Sequence, residues 1–296
     1  MDLSLSPEQE SLLTATTDWC RDALPLEAAR HRTPTLWADL EAMGYCGMTA
    51  PAMGLCHATE ALVFAELGRH LAPIGLLATA VGQRWVGPGH FALALPAEGK
   101  IRLFDPESAT AAIGLWEGQA GLIMVPASAR GETGLDLSAP MAMLDIAPAP
   151  NLIDDPRAAL HLQVLTAAFA LGCAEASRDM AANYAKIREQ FDRPIGWFQS
   201  IKHMAADMAV RTEASRAQLC YAACALDDGA EDAAFHIAAV RQLAGEAAIA
   251  NGRANIQIHG GIGMTDEASP HLCLKRAHLL SFIAPPSRAI LLGDTA

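Results

Sequence analysis

The half of the chain after Asp154 constrains the fold most, because apolar residues recur there at helical spacing over stretches far longer than strands. Asp155 is suited to cap a helix and Pro156 to enter its first turn. Leu160, Val164, Leu165, Ala168, Leu171 and Gly172 then share one face, and the helix is expected to reach about Glu189. Pro194 and Gly196 interrupt the pattern. A second helix is expected from near Gln199 to the Asp-Asp-Gly at 227–229, and a third over 230–252. Residues 255–270, rich in glycine, read as a connection, and 269–283 as a last helix. Antiparallel helices of this length imply a four-helix bundle.

The chain before this bundle divides in two. Residues 1–84 read as helical. Ser6 is a candidate N-cap, followed by Pro7 and Glu10. Leu12, Leu13, Thr16, Trp19 and Cys20 continue a helical stripe, and Leu62, Val63, Leu67 and Leu71 form another that stops before Pro73. Gly68 inside the second stripe marks close packing. Residues 85–153 alternate turn residues with the short apolar runs HFALALPAEG, KIRLF, ATAAIGLW, AGLIMVPA and APMAMLDIAP, which read as strands. The expected fold is mainly α with a small β domain: a helical domain over 1–84, a reduced β domain over 85–153 and the helical bundle over 154–296.

Hydrophobic residues make up 52% and charged residues 18% of the chain, a globular composition. A net charge of −12 without a basic stripe argues against nucleic acid as a partner. No apolar run is read as approaching the ~20 residues of a membrane span. Seven cysteines, an odd number, follow a polar and acidic N-terminus; they are expected to be reduced thiols of a cytoplasmic protein. Cys220 and Cys224 lie four apart with His236 as the one further candidate ligand, so core thiols are expected rather than a metal site.

The stretch REQFDRPIGWFQSIKH, 188–203, carries the most chemistry. Arg188 offers a planar, multi-donor fork for phosphate oxygens. Gln199 adds a neutral donor, and Phe191 can cover a flat ring. The second stretch, QIHGGIG, lets backbone approach a ligand closely at Gly260 and Gly261, which carry no Cβ. A pyrophosphate held between the two loops is one reading. The other is an Arg188–Asp192 surface pair beside a plain glycine turn.

REQF-x-x-PI-x-x-FQ-x-IKH, then QIHGGIGMT-x-E, then LKRA, resembles the acyl-CoA dehydrogenase family. So do the N-terminal SPEQ and AELGRHLAPIGLLATAV, and the order of helical, β and helical-bundle domains. The resemblance is thin over the whole chain and strong over its C-terminal half. It implies an acyl-CoA dehydrogenase-like fold and FAD bound across a subunit interface. The positions matching the family's FAD-binding residues are Arg188, Phe191 and Gln199 in the first motif and Gln257, Gly260 and Gly261 in the second.

The same resemblance exposes losses. The family reaction takes the α-proton of an acyl-CoA thioester to a glutamate while the flavin accepts hydride from the β-carbon. The usual position of that glutamate is Ala284 here, and the Thr and Gln that follow it are Pro286 and Arg288. The alternative position, early in the bundle, falls at Leu162 and Gln163. The T-E-P-x-x-G-S-D and W-I-T-N-G signatures of the β domain are missing. No residue of this chain is therefore expected as the base. The chain resembles the reduced subunit of heterotetrameric acyl-CoA dehydrogenases of the steroid side-chain type. There a paralogous partner subunit carries the glutamate and the flavin cradle, and an electron-transfer flavoprotein receives the electrons. Glu175 and Glu267 are the remaining acids weighed, with no base role expected. His259 is expected to be structural, and Lys202 and His203 to pack near the cofactor loop. Asp266 and Asp294 have no expected role. Two other readings stay open: a non-catalytic acyl-CoA-binding or scaffold paralogue, and a homomeric dehydrogenase with a displaced base.

Overall fold

Ser6 starts α1 (Pro7–Ala23) with a reciprocal cap: the Gln9 N–H donates to Ser6 Oγ and the Ser6 N–H to Gln9 Oε1. The partner is thus Gln9, while Glu10 adds negative charge to the first turn. The computed structural model describes residues 4–107, 109–126, 129–145 and 147–293. Asp294 and parts of the expected strand runs at 120–127 and 139–148 lie outside these. After α1 come α2 (Leu36–Ala42), α3 (His57–Arg69) and α4 (Gly75–Trp85). The carboxylate of Asp227, from the bundle, accepts the first backbone N–H groups of α3, His57 at 2.7 Å and Ala58 at 3.0 Å.

Seven strands form one mixed sheet: β1 (Phe91–Ala97), β2 (Lys100–Phe104), β3 (Ala111–Trp116), β4 (Gln119–Met124), β5 (Arg130–Glu132), β6 (Met141–Leu144) and β7 (Asn151–Leu152). The order is β5-β6-β2-β1-β3-β4-β7, with β1 parallel to β3 and every other pairing antiparallel. All five expected runs contribute a strand; β5 and β7, of three and two residues, are additional. Glu98–Gly99 and Glu117–Gly118 close two hairpins with φ positive at both residues, the twist such tight turns need.

The bundle consists of α5 (Arg157–Ile187), α6 (Gln199–Asp227), α7 (Ala233–His259) and α8 (Pro270–Phe282), with a short α9 (Arg288–Leu292) after it. The N-cap of α5 is Pro156 rather than Asp155, and Pro156 lies outside the helix; Asp155, one residue before it, still accepts the Arg157 N–H at 2.9 Å. The third helix departs from expectation. It runs on through Asn255–His259, so the glycine connection starts only at Gly260.

α5 is the axle of the fold, packed by α3, α6, α7 and α8. At its crossing with α3 the backbones touch: a Cβ on Gly172 would lie 2.1 Å from the Ala65 carbonyl oxygen, and one on Gly68 would lie 2.5 Å from Phe169 Cα. Gly68 thus marks close packing, as expected. α5 also corrects the reading that no apolar run approaches membrane length. By length and composition it could cross a membrane, but 89% of its apolar window is buried by the helices around it.

Buried polar groups tie the parts together. Arg276 on α8 bonds Asp136 at 2.6 Å, the Ala72 carbonyl at 2.8 Å and Ser138, joining bundle, N-terminal helices and sheet loops. The Asn251 amide on α7 donates to the carbonyls of Ala174 and Met208 and to Thr212 Oγ1. All seven cysteines are free. Cys20, Cys46, Cys173 and Cys273 are buried and Cys56 is exposed; Cys220 and Cys224, expected as core thiols, are only half-buried, at the edge of the core.

Candidate functional site

After Ile187 the chain leaves α5 with Arg188 extended, then makes a two-stranded ribbon, β8 (Glu189–Gln190) with β9 (Arg193–Pro194). Phe191 and Asp192 form its two-residue turn at φ 56° and 58°. That geometry suits Asn-Gly; a phenylalanine there is strained, and such strain concentrates at functional sites. Phe191 is 81% exposed, braced only edge-on by Phe198 at 5.9 Å. The exposed Arg188 guanidinium has no ion pair or side-chain hydrogen bond among the described residues. The Arg188–Asp192 pair is not formed. Gln199 is exposed at the first position of α6.

The second motif lies at the same end of the bundle. Gln257 is exposed on the last turn of α7, and Gly260 ends that helix at φ 68°, ψ −146°, a region only glycine enters cheaply. A Cβ added at Gly260 or Gly261 would meet nothing within 4 Å, so this backbone faces open space. The ends of α5 and α7 are joined by Tyr184 stacked on His259, ring centres 4.0 Å apart, above a cluster of Ala181, Ala185, Met208 and Ile258. His259 Nδ1 lies 2.9 Å from the Asn255 carbonyl, and burial pushes its pKa down. Lys202 lies over the Trp197 ring at 5.8 Å. The structure therefore places Arg188, Phe191 and Gln199 on the one connection between α5 and α6, and Gln257, Gly260 and Gly261 at the end of α7.

The two positions expected for a base meet elsewhere. Ala284, Leu162 and Gln163 line one crevice of about 550 Å³ between the sheet, the start of α5 and the segment after α8. Ala284 is 4% exposed at φ 45°, and its carbonyl accepts from Arg241 Nε at 3.0 Å. Arg241, itself buried, also bonds the carbonyls of Leu280 and Ile283, and desolvation brings its pKa down to about 10. Pro286 lines the crevice too. Its one lining acid is Glu117, exposed on the β3–β4 turn. Glu175 is buried and pairs with Arg216; burial outweighs that partner and raises its pKa. Glu267 is exposed in the loop before α8.

One polar cluster escaped the sequence reading. His161 Nε2 lies 2.8 Å from Glu60 Oε2, Arg84 pairs with the other oxygen, and Trp85 Nε1 donates to His161 Nδ1 at 3.4 Å. His57 Nδ1 is 3.4 Å from the shared carboxylate. Burial pushes the Glu60 pKa up, but the contacts with His161 and His57 and the Arg84 charge outweigh it and bring it down to about 2. Desolvation drives His161 down to about 4, so it stays neutral. The ligand atoms of His57, Glu60 and His161 are close enough for a metal ion. However, both nitrogens of the neutral His161 ring are already used, one N–H donated to Glu60 and one lone pair accepting from Trp85. The cluster joins α3, α4 and α5 through the Glu60 carboxylate, while His57 Nδ1 and Arg84 Nε, both buried, make no hydrogen bond.

Known proteins of this shape and sequence can now be set beside the chain. The pattern of the acyl-CoA dehydrogenase C-terminal domain matches residues 158–284. Acyl-CoA dehydrogenase IpdE2 of Mycobacterium tuberculosis is 32% identical over 252 residues, spanning 79% of this chain and 76% of the relative. Among solved structures, a variant of the Tcur3481–Tcur3483 steroid ACAD superposes with a TM-score of 0.78 at 24% identity, covering 97% of each chain. The ChsE4–ChsE5 complex from Mycobacterium tuberculosis superposes with a TM-score of 0.75 at 21% identity, covering all of both chains. On the sequence match to IpdE2, with the fold in agreement, the chain belongs to the acyl-CoA dehydrogenase family.

Proposed function

We propose that this chain is the reduced subunit of a heteromeric acyl-CoA dehydrogenase and completes the FAD site of a paralogous partner. The cofactor of the family is FAD, and the family activity is oxidation of acyl-CoA thioesters. The residues present fit the pyrophosphate end of that cofactor: an unpaired guanidinium, a side-chain amide and a glycine turn with free space before it. In this reading Arg188, Gln199 and the backbone at Gly260 and Gly261 hold the diphosphate, Gln257 adds an amide, and Phe191 covers a flat face. Bound FAD supplies the hydride acceptor. The proton acceptor comes from the partner's glutamate, because Ala284, Leu162 and Gln163 offer none.

One observation carries the reading. Every cofactor residue is exposed and Arg188 is unpaired, while the crevice holding the expected base positions has an alanine where the carboxylate belongs. A steroid side-chain thioester as substrate, a heterotetramer of two copies of each chain, an electron-transfer flavoprotein as acceptor and a cytoplasmic location belong to the same proposal. The two-chain neighbours and the free cysteines support it. The test is co-purification with a paralogue that carries the glutamate. Arg188→Ala should leave the complex assembled and strip its flavin absorbance. Thioester oxidation by this chain alone, with its own flavin, would overturn the proposal.

Glu117 favours a second reading, a homomeric enzyme with a displaced base. It predicts a homo-oligomer with one flavin per chain and turnover abolished in Glu117→Gln.

A further inference from the structure

We infer that Tyr184 and His259 are positioning residues of the cofactor clamp: their stacked rings set the arginine of one motif against the glycine turn of the other. The inference rests on the cofactor reading above and adds what holds the two halves in register. Those halves belong to different helices. Arg188 follows α5, four residues after Tyr184, and Gly260 follows α7, one residue after His259.

On the α5 side, the Tyr184 carbonyl accepts the Arg188 N–H at 2.9 Å, and the Arg188 carbonyl accepts the Ile195 N–H at 2.8 Å. Ile195 and Tyr184 pack on one apolar cluster with Ala181, Ala185 and Ile258. Gly196 lets this connection press on α5, because a Cβ there would lie 3.0 Å from the Ala185 carbonyl oxygen. The backbone of Arg188 is thereby fixed to the residue that carries the tyrosine ring. On the α7 side, His259 Nδ1 donates to the Asn255 carbonyl at 2.9 Å, and the Gly260 N–H caps the helix on the Gln257 carbonyl. The glycine loop folds back onto the base of the ring: a Cβ on Gly263 would lie 2.9 Å from the Ile256 carbonyl oxygen and 3.0 Å from His259 Cβ. The glycine turn is thereby fixed to the histidine.

Between the two sides the rings meet face to face, centres 4.0 Å apart and planes 20° apart. It is the one aromatic contact between α5 and α7 among the described residues. A clamp whose halves drift is aligned only part of the time, and its affinity falls by that fraction.

The test uses the complex with the glutamate-bearing paralogue and, beside it, the isolated chain. Tyr184→Leu and His259→Leu keep an apolar side chain and remove the ring pair; Tyr184→Phe and His259→Phe keep the pair. Both positions are half-buried, and thermal unfolding of the isolated chain checks that the variants fold. Each leucine variant should weaken flavin binding by the complex roughly three- to tenfold, the worth of one aromatic pair. The phenylalanine variants should not weaken it, and the double leucine variant should be no weaker than a single one. In the isolated chain, Tyr184→Leu should speed amide hydrogen exchange across the joint, at 260–264, and His259→Leu at 188–195. Unchanged flavin affinity in the leucine variants, equal losses in the phenylalanine variants, multiplied losses in the double variant, or exchange raised only beside the mutated residue overturns the inference. Arg188→Ala separates it from the reading it rests on. If that variant keeps its flavin, the cofactor reading fails and this inference with it. If it loses flavin while Tyr184→Leu keeps it, only this inference fails.

Discussion

The two ends of α5 solve opposite problems. At its start, His161 is buried in the Glu60–Arg84–Trp85 cluster, and the neighbouring Leu162 and Gln163 line a crevice whose one acid is Glu117. At its finish, Ile187 is 77% exposed, Arg188 is unpaired and Phe191 points into solvent from a strained turn. The first end is closed into the interior, its Glu60 carboxylate shared by His161 and Arg84. The second carries about 1–3 kcal/mol of backbone strain that folding alone does not require. The contrast teaches where to look for a partner: buried polar groups satisfied internally speak of stability, and exposed, strained, unpaired ones speak of something that docks.

Four experiments break or sharpen this contrast. The largest effect belongs to the scaffold both ends share. Gly172→Val drives a side chain into the Ala65 carbonyl and should cost about 3 kcal/mol or more in chemical unfolding, or abolish folding. A cost below about 1 kcal/mol would mean the α3–α5 crossing yields, and the two ends could not be treated as fixed on one axle. At the open end, Arg188→Ala should weaken flavin retention roughly 10- to 100-fold, the worth of charge-assisted bonds to phosphate, with unfolding of the isolated chain unchanged. Lost stability in the isolated chain would show the arginine serves the fold.

The closed end should respond to acid. His161 is held neutral, with its folded pKa near 4 against 6.5 for a free imidazole. The unfolded chain therefore binds the proton first as pH falls. Stability is level above about 6.5 and declines toward 4, by roughly 2 kcal/mol. Glu60, ionised down to about 2 in the folded chain against 4.5 unfolded, prolongs the decline below 4.5. Unfolding of His161→Gln followed across pH 4 to 6.5 should lose that slope; an unchanged slope would assign it elsewhere. The smallest effect concerns the turn. Phe191→Asn with Asp192→Gly relaxes both positive-φ residues and should stabilise the isolated chain by about 0.5–1 kcal/mol. Flavin retention in the complex should fall. A gain in both would remove the argument from strain.

Much of this was legible in the residues. The second bundle helix showed both its limits, Pro194 and Gly196 before it and the Asp-Asp-Gly after it, and the structure places α6 at Gln199–Asp227. Gly68 announced the crossing with α5 because a lone glycine in a helical stripe has few other uses. Elsewhere local signals misled or were silent. Asn255–His259 read as connection because the glycines next to it dominated, yet packing of Ile258 against Ala181 and Met208 keeps α7 wound through Gln257. β7 pairs at two residues and β5 at three, too few for any periodicity. The Glu60–His161 contact joins positions 101 apart, with no spacing to betray it.

The glycine contact between α3 and α5 carries a mechanical consequence. Backbones pressed together at Gly68 and Gly172 leave no cushion of side chains over which one helix could roll or slide on the other. α5 behaves as a strut pinned near its middle. Whatever is felt in the crevice at one tip cannot reach the other tip by tilting this rod. Any signal between them has to be passed by repacking of the side chains that surround it.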